Sequence, residues 1–186
     1  MAKKIGIAVL VLVVAVLGFI GTRPESFRIE RSAVIGAPPD VVFTLIDDFH
    51  QWGRWSPWEK VDPSMQRTFE GPSAGPGARY AWAGNREIGK GRMTILESRP
   101  GELVSIRLEF FEPFAATNEA RFQLAASGTG TRVGWSMEGK NGFVGKAISL
   151  FMDMDEMVGT AFEQGLADLD TAARAETQRL RQSAQR

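Results

Sequence analysis

Cysteine is absent, and histidine occurs once, as His50. The first absence excludes disulfides, thiolate metal sites and a cysteine nucleophile. The second excludes a multi-histidine metal centre. The 22 basic and 22 acidic residues leave no net charge, so the basic excess of a nucleic-acid binder is missing. No phosphate-binding loop is present either. The glycine-rich Gly71–Gly77 (GPSAGPG) lacks the lysine and the following helix that such a loop needs, and it reads as a turn. Internal repeats and low-complexity segments are also missing. No metal, cofactor or nucleic-acid partner is expected.

What is present in excess is one apolar run. Ile5–Ile20 reads IGIAVLVLVVAVLGFI, without a charged or polar side chain. At about 1.5 Å per residue it spans about 24 Å, and Ala2, Gly21 and Thr22 bring it close to the roughly 30 Å hydrocarbon core of a bilayer. Lys3 and Lys4 precede it, which places that end in the cytoplasm and the remainder on the non-cytoplasmic side. Arg23 opposes this weakly. The competing expectation is a cleaved signal peptide and a secreted domain. Cleavage after Gly21 or Thr22 would put Phe19 or Ile20 at the minus-three position, unlike the usual small residue. Residues 1–22 therefore read as a transmembrane anchor or signal segment, 23–175 as the folded domain, and 176–186 as a polar tail expected to fray. Without Lys3 and Lys4 the remainder is slightly acidic.

The remainder has the pattern of an α+β domain. Ser26–Ile35 alternates Phe27, Ile29, Arg31, Ala33 and Ile35 against polar neighbours, the mark of a strand with one buried face. Gly36-Ala-Pro-Pro-Asp40 ends it and opens a helix, since proline is tolerated in a first turn. Val41, Val42, Leu45, Ile46 and Phe49 follow at helical spacing. His50–Pro57 reads as a short helical turn. Strands are predicted over 66–69, 78–83, 91–97, 103–112, 116–126 and 132–138, with glycine-rich hairpin connections such as Ser127–Gly130. Clean alternation implies an antiparallel sheet with one dry face. Beyond Asn141-Gly142 the period is helical to about Leu180. Val144, Ala147, Phe151, Met154, Val158, Phe162, Gly165, Leu169 and Ala172 form one stripe, and Asp153–Glu156 resembles a capping box at which the helix divides.

The richest candidate for function is aromatic. Trp52, Trp55 and Trp58 recur at intervals of three, and Tyr80, Trp82 and Trp135 lie on dry strand faces. They serve either as core or as the lining of an apolar pocket between sheet and helix. Gly159 and Gly165 each cost the helix about 1 kcal/mol against alanine. Their missing side chains permit either close helix–sheet approach or room for a ligand. Asn118, in phase with Phe122, and Asp155, at the edge of the stripe, either orient a ligand head group or hydrogen-bond locally. His50 is a general-base candidate on chemistry alone, and a structural role suits it better, because no cysteine partners it.

The motifs Val42-Phe43, Trp55-Ser-Pro-Trp58, Asp62-Pro63, Gly77-Ala-Arg-Tyr-Ala-Trp82-Ala-Gly-Asn85, Gly130-Thr-Arg-Val-Gly-Trp135-Ser-Met-Glu-Gly139, Phe151-Met-Asp-Met-Asp155 and Phe162-Glu-Gln-Gly165-Leu166 together resemble the SRPBCC superfamily. This is the START and birch-pollen-allergen-like group, and the likeness is to its polyketide cyclase/dehydrase-like branch, from about Phe27 to Leu169. The resemblance implies a helix-grip fold, a curved antiparallel sheet of about seven strands around a long C-terminal helix, with a deep hydrophobic cavity. Members bind lipids, sterols or polyketides, and some catalyse cyclisation or dehydration. No catalytic constellation is transferable to these residues, and fold alone does not fix function.

The expected function is that of a membrane-tethered binding protein for an apolar small molecule or lipid. Strand and helix phase assign the contacts to Tyr80, Trp82, Ile106, Leu108, Phe110, Asn118, Phe122, Trp135, Met137, Met154, Asp155, Val158 and Phe162, with Trp55 or Trp58 near the mouth. The alternatives are a polyketide cyclase-like enzyme using Asp155, Asn118 or His50, and an interaction module with a filled core.

Overall fold

The computed structural model describes residues 2–150 and 153–185. Helix α1 (Ala2–Gly21) comes first, exposed along most of its length. Strand β1 (Ser26–Ile35), helix α2 (Pro39–Asp47) and two 3-10 turns (Phe49–Arg54 and Pro57–Lys60) follow. Then come β2 (Gln66–Glu70), β3 (Arg79–Ala83), β4 (Lys90–Arg99), β5 (Leu103–Glu112), β6 (Ala116–Ser127), β7 (Gly130–Lys140), α3 (Phe143–Ile148) and α4 (Met154–Ser183). The seven strands form one antiparallel sheet in the order β1-β7-β6-β5-β4-β3-β2. β1 therefore crosses to pair with the last strand, Ser26 opposite Lys140 and Ile35 opposite Thr131.

The alternation of each strand explains the sheet's two faces. Tyr80 and Trp82 on β3, Met93 and Ile95 on β4, Val104 and Ile106 on β5, Phe122 and Leu124 on β6, and Val133 and Trp135 on β7 all point to one buried face. Against it lie α2, through Val42, Leu45 and Ile46, and α4, through Phe162, Leu166, Leu169 and Ala173. Pro38 and Pro39 start α2 where a missing backbone N–H costs nothing. Trp52 and Trp55 lock the first 3-10 turn onto α2, donating their indole N–H groups to the Ile46 and Leu45 carbonyls, each at 2.9 Å.

The helical region divides where the capping box predicts. The Asp153 carboxylate accepts from the Glu156 backbone N–H at 3.0 Å and starts α4. Two expectations differ from the structure. Val144 does not share the buried stripe and is exposed, because α3 is a separate helix lying beside α1. Residues 176–183 are not set apart as a tail but continue α4. Glu176 accepts from Arg179 at 2.5 Å and from Arg54 at 3.2 Å, which ties this turn to the domain. Phe151 and Met152, in the predicted stripe and in one quoted motif, lie outside the described residues.

The two glycines of α4 have a structural explanation. A Cβ at Gly165 would stand 2.7 Å from Trp135 Cζ3 and 3.0 Å from Pro57 Cδ, and one at Gly159 would meet the Arg31 guanidinium. Gly165 serves close approach between helix and sheet, and Gly159 leaves room for the end of the Arg31 side chain. Neither lines the cavity described next.

Candidate functional site

The dry face is not filled along its whole length. At the half of the sheet nearest Ala83, Lys90, Glu112 and Lys140, a cavity of about 190 Å³ lies between the strands and the first turns of α4. Tyr80 and Trp82 wall it from β3, Met93 from β4, Leu108 and Phe110 from β5, Ala120 from β6, and Trp135 and Met137 from β7. Val158 and Phe162 close it from α4, and Trp52, Ser56, Trp58, Glu59 and Met65 from the segment between α2 and β2. Glu87 and Ile88, in the β3–β4 loop, complete the rim. Glu87 is the lining residue exposed to solvent, so the mouth opens beside this loop.

The aromatic packing is specific. Trp135 stacks on Phe162 with ring centroids 4.1 Å apart and planes 8° apart. Trp58 meets both rings edge-on at 5.5 and 6.1 Å. Trp82 meets Phe110 edge-on at 5.8 Å. Such contacts fix the shape of the wall.

Few polar atoms face this space. Tyr80 Oη donates to Glu59 Oε1 at 2.6 Å, and Arg67 Nε donates to Glu59 Oε2 at 2.7 Å. Burial pushes the Tyr80 hydroxyl pKa well up, and the Glu59 carboxylate beside it adds to the shift. The same carboxylate raises the Arg67 pKa. Glu59 is thus a carboxylate with both oxygens engaged. Trp82 Nε1 donates to the Ile88 carbonyl at 3.1 Å, holding the rim loop to the wall. Asp62 fixes the start of that loop by accepting from the Asn85 backbone N–H at 2.8 Å, and it also accepts from Ser64 Oγ at 2.6 Å. The Ser64 hydroxyl foremost, and then the Asn85 N–H, hold its carboxyl below the usual carboxylate range.

One donor differs from the others. Trp135 Nε1 is buried and has no hydrogen-bond partner among the described residues. The six-membered edge of its ring, at Cζ3, faces Gly165. An unsatisfied buried donor costs about 1–3 kcal/mol. Among the described residues no group of three His, Asp or Glu side chains is arranged to hold a metal.

Of the residues assigned from the sequence, Trp58, Tyr80, Trp82, Leu108, Phe110, Trp135, Met137, Val158 and Phe162 meet around this cavity. The others do not line it. Trp55 is not near the mouth. It is fully buried, in edge contact with Phe122 and Trp135 at 5.9 and 5.7 Å. Ile106 and Phe122 share the face but sit in filled core. Met154 packs at the edge of that core. Asn118 points its amide at Met137 Sδ, 3.8 Å away. Asp155 lies outside, paired with Arg31 at 3.0 Å. His50 is also outside, stacked on Phe69 and bonded through Nδ1 to Asp48 at 2.8 Å. Glu59, Ser56 and Glu87 were not foreseen, because a charged or hydroxyl side chain outside a strand carries no phase. Met93 and Ala120 were legible as dry-face residues, and Trp52 as the first of the three-spaced tryptophans.

Residues 26–174 match the family described as polyketide cyclase / dehydrase and lipid transport. A comparison with curated proteins finds no match. Among solved structures, the chain is similar to protein CV1439 from Chromobacterium violaceum (18% identity, TM-score 0.57, covering 81% of this chain and 98% of that one). It is also similar to the Aha1 dimer from Colwellia psychrerythraea (15% identity, TM-score 0.57, 79% and 96%). A third likeness is to the di-domain aromatase/cyclase StfQ of the steffimycin biosynthetic pathway (9% identity, TM-score 0.57, 82% and 52%). At these identities the structural likenesses show the fold.

Proposed function

Because the chain belongs to the polyketide cyclase / dehydrase and lipid transport family, we propose that it is a membrane-tethered binding protein that holds a hydrophobic small molecule or lipid between its sheet and α4. The observation that carries this reading is the 190 Å³ cavity with an almost wholly apolar wall. An engineered apolar cavity of about 150 Å³ in another protein accepts benzene. The space here accordingly suits one substituted ring or a short acyl segment, with the rest of a larger ligand projecting through the mouth beside Glu87. The ligand contacts Tyr80, Trp82, Leu108, Phe110, Trp135, Met137, Val158 and Phe162, with Trp58 between it and the domain surface. The tether is α1, which is apolar and long enough to span a membrane or to act as a signal sequence. Lys3 and Lys4 favour a cytoplasmic N-terminus and a non-cytoplasmic domain.

Extraction and mass spectrometry of the purified full chain test this reading. An Ala120→Phe variant, which fills the cavity from β6, separates cavity ligand from lipid bound around α1. An apolar species present in stoichiometric amount with the native chain and lost in the variant is the expected result. Identical extracts from a variant that still folds overturn it.

A second reading, catalysis in the same cavity, draws on Glu59 and Tyr80. Their 2.6 Å hydrogen bond places a carboxylate and a phenol at the wall. It predicts that Glu59→Gln abolishes turnover of a bound polyketide-like substrate and leaves its binding intact.

A further inference from the structure

The geometry points to a second membrane contact. The end of the domain that carries the cavity mouth lies against the bilayer that holds α1, and Phe114 and Phe143 sit among the lipids. The inference rests on reading α1 as a membrane anchor, as proposed above.

The first observation is how short the connection is. Four residues, Thr22–Glu25, join α1 to β1, and even fully extended they reach only about 14 Å. They are also held down. Ile20 is buried, Arg23 donates to the Ser149 carbonyl at 3.4 Å, and Glu25 pairs with Lys146 of α3 at 3.8 Å. The sheet edge beginning at Ser26 therefore stays within about 14 Å of the end of α1, close to the headgroup layer.

The second observation is what else lies along that edge. Antiparallel register carries it from Ser26 to Lys140 on β7, and from Gly139 to Asn118 near the start of β6. It continues through the β5–β6 hairpin, where Phe110 faces Ala116, to Glu112 opposite Lys90 and Lys90 opposite Ala83. The hairpin tip and the β3–β4 loop with the cavity mouth are thus on the same side of the domain as the anchor.

The third observation is the chemistry of this edge. Outside α1, the phenylalanines that are more than half exposed among the described residues are Phe111, Phe114 and Phe143, at 51%, 59% and 54%. All three are here, and Val144 and Met157 are exposed beside them. Exposed apolar clusters of this kind mark contact surfaces. Two pairs of charges lie between them, Lys90 with Glu112 at 2.9 Å and Lys146 with Glu25, while Arg86, Glu87 and Lys140 are exposed and free to meet lipid headgroups. Glu87 stays at headgroup level and limits the depth of insertion. A mouth held at this level lets an apolar ligand pass between acyl chains and cavity with little exposure to water.

The absence of cysteine makes the test clean. Single-cysteine variants of the full chain, Leu12→Cys in α1, Phe114→Cys at the hairpin tip and Thr129→Cys at the opposite end of the sheet, are labelled with bimane. Each is reconstituted into phosphatidylcholine vesicles containing lipid brominated in its acyl chains. Labels at 12 and 114 are expected to be quenched several-fold more strongly than the label at 129. Quenching at 114 no stronger than at 129, with 12 quenched, overturns the docking and leaves the anchor. An unquenched label at 12 overturns the anchor and the docking together. The extraction experiment on the cavity is independent of all three outcomes.

Discussion

Replacing Gly165 by alanine asks whether the close contact between α4 and the sheet is what the missing side chain serves. The added methyl stands 2.7 Å from Trp135 Cζ3 and 3.0 Å from Pro57 Cδ. Trp135 has little freedom to retreat, because it is stacked on Phe162 at 4.1 Å and packed against Phe122 at 4.7 Å. Overpacking of this kind costs about 1–3 kcal/mol, and the better helix former returns about 0.8–1 kcal/mol. The net is a loss of up to about 2 kcal/mol, a fall in Tm of up to about 8 °C for a chain of this size. Gly159→Ala is the matched control. It gains the same helix propensity, but its methyl meets the far end of the flexible Arg31 side chain. The Arg31 pairs with the exposed Asp155 and Glu163 carboxylates are screened by water and can rearrange, so this variant is expected to be close to neutral. Thermal melts of the full chain in one detergent, followed by near-ultraviolet circular dichroism, compare the two. A Gly165→Ala variant as stable as Gly159→Ala would refute the reasoning.

Tyr80→Phe removes the 2.6 Å bond to Glu59. A bond to a charged acceptor contributes about 1.5–3 kcal/mol, and denaturant titration should show a loss of that order. Asp62 has a folded-state pKa below its ordinary value. Its stabilisation is therefore present above the ordinary carboxylate range and lost as pH falls through the folded-state value. Asp62→Asn should be less stable than the native chain at neutral pH, and unfolding curves recorded at falling pH should show the gap closing in acid. Asp153→Ala removes the N-cap of α4 and should cost about 0.5–2 kcal/mol. Hydrogen exchange should then show the amides of the first α4 turn opening faster, with those around Leu169 little changed.

The sheet was legible in the sequence because a period of two needs only local information. Most strands from Ser26 to Lys140 carry their own alternation, and the structure keeps that phase in β1, β3 and β6, whereas β2 is exposed throughout and β5 begins with four buried residues, Ser105 among them. Its strand number and curvature came through the family resemblance, and the pairing of β1 with β7 came only with the structure. The site was harder to read. Phase tells which face a residue takes but not where along the strand the core stops and the cavity starts. Ile106 and Leu108 share a phase, yet Ile106 is packed solid and Leu108 lines the space. Trp55 and Trp58 share the interval of three, and only the second reaches the cavity. Asp155 was misplaced because the edge of a helical stripe takes its role from its partner across space. That partner is Arg31, on a strand 124 residues earlier in the chain. Glu59 gave no local signal for the same reason, since Tyr80 and Arg67 meet it only in the folded sheet.

The pairing of β1 with β7 has a consequence for biosynthesis. Ser26 must wait for Lys140, 114 residues later, before the sheet can close around it. At a synthesis rate of about 5–20 residues per second that wait is about 6–23 s. During it a β-forming segment with one apolar face stands next to α1 with no partner strand. Long-range pairing of this kind also folds slowly once the chain is complete. The first strand of the domain is thus the last to be secured, and until then its apolar face is open to other chains.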